Sequence, residues 1–352
     1  MIKSREIHLI SRPSGPVTPD NFQMVTVDVP SPGENEVLIK NLWMSIDAGQ
    51  RTLMTKGETE LSNIDLPAKW FELGEPMEGQ VIGQVIESRN DNLPVGTFVI
   101  TNAGWREYLT FSGKADGFLL TVLDKPVTPI TAHLHTMSVY GASAYFHVTD
   151  CAKVQAGETV WVSTAAGTTG SIAAQIAQIS GCRVIGTTGS DEKVDWLLNE
   201  LKLDAAFNYR KDDLLAAMKE ACPDGIDCFI DYAGGKQLEV AIELMNPHGR
   251  IIKVGDTSTY DDGDATGPSN IFQIILKRVN IEGHSIFDYL TPPTRLATCY
   301  KRLGKWVSEG KIKVNETVYD GIENAVQAQI DLFRGKNIGK ILVKLGDPER
   351  VN

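Results

Sequence analysis

Short alternating apolar and polar runs, punctuated by glycine and proline, occupy the chain from Glu6 to about Leu123. The clearest are Val37-Leu38-Ile39-Lys40, the run from Gly79 to Ile86, and Thr97-Phe98-Val99-Ile100, with Pro94-Val95-Gly96 as a turn between the last two. Such a pattern predicts short strands in an antiparallel, barrel-like domain. Near Thr128 the pattern changes to apolar runs alternating with helical periodicity. Strands are expected at 159–163, 183–188, 205–209, 226–231 and 249–254, with helices at 171–180, 192–200, 214–221 and 238–245 between them. A helix at 300–309 leads to a run at 314–319, a helix at 323–334 and a strand at 339–343. The fold class expected is α/β, a β-barrel domain joined to a doubly wound parallel sheet. Its domains are 1–127 with the returning tail 316–352, and 128–315.

The most telling local pattern is Thr164-Ala165-Ala166-Gly167-Thr168-Thr169-Gly170, set between the β-branched run Thr159-Val160-Trp161-Val162-Ser163 and an apolar helix closed by Gly181. A strand, a glycine turn, a helix and the next strand, Arg183 to Thr188, form the βαβ unit that seats a pyrophosphate on a helix N-terminus. A tight turn that binds nothing would account for Gly170. It would not account for Gly167 beside the small Ala165 and Ala166, which leave room against bare backbone amides. Gly167, Thr168, Thr169 and Gly170 are therefore candidate cofactor contacts, with Thr164 standing where the first glycine is usual.

The next turn bears on which dinucleotide binds. Asp191 lies about 20 residues beyond Gly170, a spacing compatible with an acidic ribose ligand. Ser190 and Asp191, however, suit the N-cap and first turn of the following helix. Lys193 then emerges one turn in, with Tyr209-Arg210 arriving from the neighbouring strand. A lysine there suits a 2′-phosphate, so the cofactor expected is NADP(H).

Composition narrows the partners. The 352 residues include 42% hydrophobic and 22% charged ones, as in ordinary globular proteins, and the net charge is −11. That charge disfavours nucleic acid and anionic lipid. No stretch has signal-peptide or membrane-spanning character, so a cytoplasmic protein is expected. The five cysteines (Cys151, Cys182, Cys222, Cys228, Cys299) form no CxxC pair, and the six histidines, His133 and His135 apart, stand alone. No metal site is expected, and each histidine reads as an ordinary surface or core residue. Neither a GxSxG elbow nor a Walker lysine occurs.

Several motifs together resemble the zinc-independent medium-chain dehydrogenases/reductases that include leukotriene B4 12-hydroxydehydrogenase/prostaglandin reductase, plant alkenal reductases and bacterial curcumin reductase. Ser11-Arg12-Pro13 and the run from Pro30 to Leu38 match the opening strands. Ala165 to Ser171 matches the AAGxxGS loop, and Gly189-Ser190-Asp191-Glu192-Lys193 the 2′-phosphate segment. Asn208-Tyr209-Arg210 matches the tyrosine-plus-basic element, Gly255, Ser258 and Tyr260 the GxxSxY stretch, and Gly335 to Lys340 the closing GxNxGK. The resemblance implies a GroES-like barrel with a Rossmann domain and NADPH-dependent reduction of the C=C bond of enones or enals. It implies 2′-phosphate contacts from Gly189, Lys193 and Tyr209, and further cofactor contacts from Ser143, Ser258 and Asn337. Val254 and Ile286 would line the nicotinamide pocket, and Tyr260 would supply the hydroxyl that meets the substrate oxygen.

Three departures concern the substrate side. The family's DPYMR is Asp47-Ala48-Gly49-Gln50-Arg51, the asparagine of its NVGG is replaced by Tyr232, and a proline-rich loop has become Asp261-Asp262-Gly263-Asp264. A quinone reductase with the same cofactor, or an NADPH-binding protein without turnover, are the competing readings. The segment Val279-Asn280-Ile281-Glu282-Gly283 reads as an edge strand that must be paired or protected, and the resemblance implies a homodimer through it.

Overall fold

The computed structural model describes residues 1–55, 70–113, 119–257, 267–289 and 292–350. The chain divides into two compact units, Met1–Leu134 with Glu316–Asn352, and His135–Asn315.

The first unit is mainly β. In chain order its strands are β1 (Ile2–Leu9), β2 (Phe22–Val29), β3 (Val37–Ile46), β4 (Glu75–Pro76), β5 (Val81–Ser88), β6 (Phe98–Thr101), β7 (Tyr108–Phe111) and β8 (Leu120–Val122), with α1 (Gly49–Met54) after β3. The second unit holds α2 (Val139–Phe146), β9 (Thr159–Val162), α3 (Thr168–Ile179), β10 (Arg183–Thr188), α4 (Asp191–Asn199), β11 (Ala205–Asn208), α5 (Leu214–Ala221), β12 (Ile226–Asp231), α6 (Gly235–Leu244), β13 (Met245–Lys253), α7 (Gln273–Lys277), β14 (Asn280–Gly283) and α8 (Pro293–Ser308). The chain then returns to the first unit as β15 (Glu316–Asp320), α9 (Ala325–Phe333) and β16 (Lys340–Lys344).

In the first unit β2-β1-β4 form one sheet, and β15-β16-β3-β5-β6-β8 another in which β7 also pairs with β3. The returning tail earns its place there: β16 is antiparallel to β3, and its Ile341, Leu342 and Val343 are fully or almost fully buried. The sheet of the second unit runs β11-β10-β9-β12-β13-β14, every pair parallel. Both faces of its central strands are covered, as parallel strands require. Val160, Val162, Val184, Cys228 and Ile230 pack into one core with α2, α3 and α8. Trp161, Ile185 and Phe229 point the other way, into a core with α5 and α6. The α/β architecture expected from the sequence, a GroES-like unit with a Rossmann sheet, is the one found.

Two helix starts differ from the expectation. α3 begins at Thr168 rather than Ser171, because Thr168 and Thr169 fall in the first turn, where no N–H needs an intrahelical acceptor. α8 begins at Pro293 rather than near Tyr300; proline suits the first turn, and the exposed Thr294, Arg295 and Thr298 hide the helix in a hydropathy pattern.

Candidate functional site

The second unit contains one topological switch point. From β9 the chain builds outward through β10 and β11 on one side, and through β12, β13 and β14 on the other. In open α/β sheets, ligands bind at such a point, beyond the C-terminal strand ends. The glycine loop leaves β9 at this point. Thr164 adopts φ +51°, a left-handed conformation uncommon for a β-branched residue and stored here in a turn usually made by glycine. Gly167 is the N-cap of α3, and Ser171 N donates to its carbonyl at 3.0 Å. A Cβ on Gly170 would stand 2.4 Å from Thr164 O, so only glycine lets helix and turn approach this closely. The first-turn amides of α3, from Thr168, Thr169 and Gly170, thus lie at the start of a helix whose positive end favours an anion.

A cationic rim lies past the adjacent strand. Ser190 caps α4, its Oγ accepting from Lys193 N at 3.4 Å. Asp191, in the first turn, accepts from Asn208 Nδ2 at 2.7 Å and pairs with Lys211. Lys211 and Asn208 together hold its carboxyl below the ordinary range. Committed to these partners, Asp191 is placed as a structural acid. Over Gly189 lie Tyr209 Oη and Arg210 Nε, each 3.3 Å from where a Cβ would stand, so a side chain would fill the space they face. Lys193 is half-buried, and burial together with the nearby Arg210 charge lowers its pKa to about 8. Two cations and a phenol are gathered where an anionic group would relieve their repulsion. Arg210, named in the sequence as the basic partner of Tyr209, lies beside Tyr209 at Gly189.

A polar brace holds the strand ends at the switch point. Asp231, fully buried at the end of β12, accepts from Ala233 N (3.0 Å), Gly234 N (2.8 Å) and Lys253 Nζ (2.9 Å). Ser163 Oγ, just past β9, accepts from Tyr232 N at 2.8 Å. Lys253 Nζ also donates to Gly255 O (2.6 Å) and Asp256 (3.0 Å). A buried carboxylate needs this many partners to stay charged. The brace ties together the chain leaving β9, β12 and β13.

Residues 5–117 match the family model described as the N-terminal domain of oxidoreductase, and residues 168–301 that described as zinc-binding dehydrogenase. Prostaglandin reductase 1 of Bos taurus is 37% identical over 330 residues, covering 93% of this chain and 94% of that protein. The NADPH-dependent curcumin reductase of Escherichia coli is 31% identical, covering 97% of both. The chain belongs to the medium-chain dehydrogenase/reductase family. Within that family, CurA from Vibrio vulnificus, solved in complex with NADPH, superposes with a TM-score of 0.87 at 30% identity, covering 98% of this chain and all 100% of CurA.

Ser143 is half-buried on α2. Val254, whose N–H donates to Asp231 O at 2.9 Å, and Ile286 are half-buried and pack against the same core as Ala166 and Tyr232. Asn337 belongs to the first unit, buried, with Nδ2 donating to Gly339 O at 2.7 Å. Ser258, Tyr260 and the acidic run 261–264 lie outside the described residues. At Gly49, where the family's tyrosine is missing, a Cβ would meet nothing within 4 Å, so the position has open space. Among the described residues no group of three or more His, Cys, Asp or Glu could hold a metal ion, and no helix is long and apolar enough to cross a membrane. Sequence reasoning missed the brace on Asp231 and read the histidines as isolated; His147 and His284 in fact meet in one buried cluster.

Proposed function

We propose that the protein is an NADPH-dependent reductase of the C=C bond of α,β-unsaturated ketones or aldehydes. The observation that carries this reading is the rim one strand from the glycine loop, where Tyr209 and Arg210 lie over Gly189 and Lys193 lies near Arg210. The residues fit the cofactor: Gly167 and Gly170 keep the turn before α3 bare for a pyrophosphate, and the rim suits a 2′-phosphate dianion. Bound there, NADPH supplies a hydride for the acceptor's β-carbon. Val254 and Ile286 would bound the nicotinamide end, with Ser143, Ser258 and Asn337 as further contacts. Tyr260 would donate a hydrogen bond to the carbonyl oxygen on which charge gathers, a task that needs no metal. A homodimer through β14 completes the proposal.

A quinone is the second acceptor to test, and the open position at Gly49, where the expected tyrosine is missing, lends weight to a third reading, an NADPH-binding protein without turnover. The test follows NADPH absorbance with an enone, a quinone and no acceptor, for the wild type and Tyr260→Phe. Turnover of the enone is expected, lowered about a hundred- to a thousandfold in the variant, with NADPH affinity retained. Turnover of the quinone alone would favour the second reading, and none at all would leave a binding protein.

A further inference from the structure

Past the end of β12 lies a buried polar cluster that the proposed chemistry has not used. Tyr232, the first residue past β12, turns its phenol inward, and its Oη lies 2.8 Å from His147 Nδ1. His147 opens a π turn that continues α2, in which Ala152 N donates to His147 O at 2.9 Å. Single π turns recur at functional sites. The His147 ring meets His284, the residue after β14, edge to face at 4.2 Å. Beyond, Cys151 Sγ lies 3.2 Å from His284 Nδ1 and 3.1 Å from Tyr289 Oη. His147 is fully buried, and the Nε2 atoms of both imidazoles are buried without a partner among the described residues. Burial holds both rings neutral, His284 at about 4 and His147 well below its ordinary value, and keeps the Tyr232 phenol protonated.

A core built only for stability would place apolar side chains here, because unpaired buried nitrogens are costly. Rules of packing are broken in this way mainly where function requires it. The cluster also occupies a telling place. Tyr232 takes its backbone support from Ser163, past β9, and its side-chain support from His147, so the residue just past the switch point is held at both ends. Val254 and Ile286, the proposed nicotinamide neighbours, pack against the same core.

We infer that His147 is a positioning residue: through its hydrogen bond to Tyr232 it fixes the chain leaving β12, against which the nicotinamide half of the cofactor rests for hydride transfer. The inference depends on the proposed reductase reading. Its test compares Tyr232→Phe, His147→Leu, the double variant and His147→Asn, whose amide retains a partner for the phenol. Steady-state rates with an enone are measured with NADPH and with NADPH deuterated at the transferred position, beside direct NADPH titration and thermal melting. Tyr232→Phe and His147→Leu should each lower kcat about tenfold and raise the isotope effect on it, with NADPH affinity changed less than about twofold. The double variant should lose no more than the worse single, and His147→Asn should recover most of the rate.

A lower melting temperature with unchanged kcat and isotope effect would overturn the inference and leave a packing cluster. Tyr232→Phe removes a single oxygen, so it keeps the test open even if His147→Leu does not fold. If the wild type turns over no enone, the reductase reading fails by itself. The fluorescence anisotropy of bound NADPH then decides: lower in Tyr232→Phe if the nicotinamide is held as inferred, unchanged if it is not.

Discussion

In the proposed reading, Lys193 is the single side chain that would distinguish two cofactors. Its ammonium sits half-buried near Arg210, and the two cations raise each other's cost until an anion arrives. A charge-assisted contact of this kind is worth about 1.5–3 kcal/mol, or roughly ten- to a hundredfold in affinity. Lys193→Ala should weaken NADPH by that factor and leave NADH nearly unchanged. The pKa lowered to about 8 adds a pH signature. Below it the ammonium is charged and ready for the phosphate; as pH rises through it, the free protein loses that charge. NADPH affinity should therefore fall above about pH 8 while NADH affinity stays flat. Calorimetric titrations of both cofactors at pH 7 and pH 9 check this. Equal losses for both would remove Lys193 from the phosphate site.

At the scale of elements, the βαβ unit rests on a close approach that tolerates no added carbon. A methyl on Gly170 would stand 2.4 Å from Thr164 O and 3.2 Å from Ala165 Cα, both backbone atoms that cannot swing aside. Gly170→Ala should cost about 1–3 kcal/mol of stability, as overpacking does, and displace the first turn of α3 enough to abolish tight NADPH binding. Denaturant melts and a cofactor titration measure the two effects. Wild-type values for both would mean that the turn is more pliable than its geometry implies. This unit was legible in the sequence because its signals are local: an apolar run, glycines at a turn and a helical period fall within about thirty residues. The start of α8 was not, because Thr294, Arg295 and Thr298 lie exposed in its opening turns and only Cys299 and Leu303 are buried. Least legible was the meeting of His147 with Tyr232, 85 residues apart, and of Cys151 with His284, 133 apart. No spacing rule links such residues; only the parallel sheet, by aligning its strand ends, brings them together.

For the whole molecule, the edge strand and the surface beside it matter. β14 is the last strand of the parallel sheet among the described residues, and such an edge is a template for pairing. Next to it α7 and the residues before it expose Ile271, Phe272, Ile275 and Leu276, with Phe272 and Ile275 65% and 68% accessible. Four exposed apolar side chains this close in sequence, on a chain of net charge −11, suit a partner surface. A second copy pairing through β14 would provide it, so light scattering should give twice the 38.5 kDa chain mass, and Ile275→Asp should shift the population toward monomer. A wild-type mass of one chain in dilute solution would contradict the dimer. The reaction itself is tested most directly by the fate of one atom. The protein is incubated with an α,β-unsaturated ketone and NADPH deuterated at the transferred position, and the product is read by NMR. A saturated ketone with deuterium on the β-carbon is expected, the α-carbon having taken its proton from water. Deuterium on the former carbonyl carbon, in an unsaturated alcohol, would contradict it.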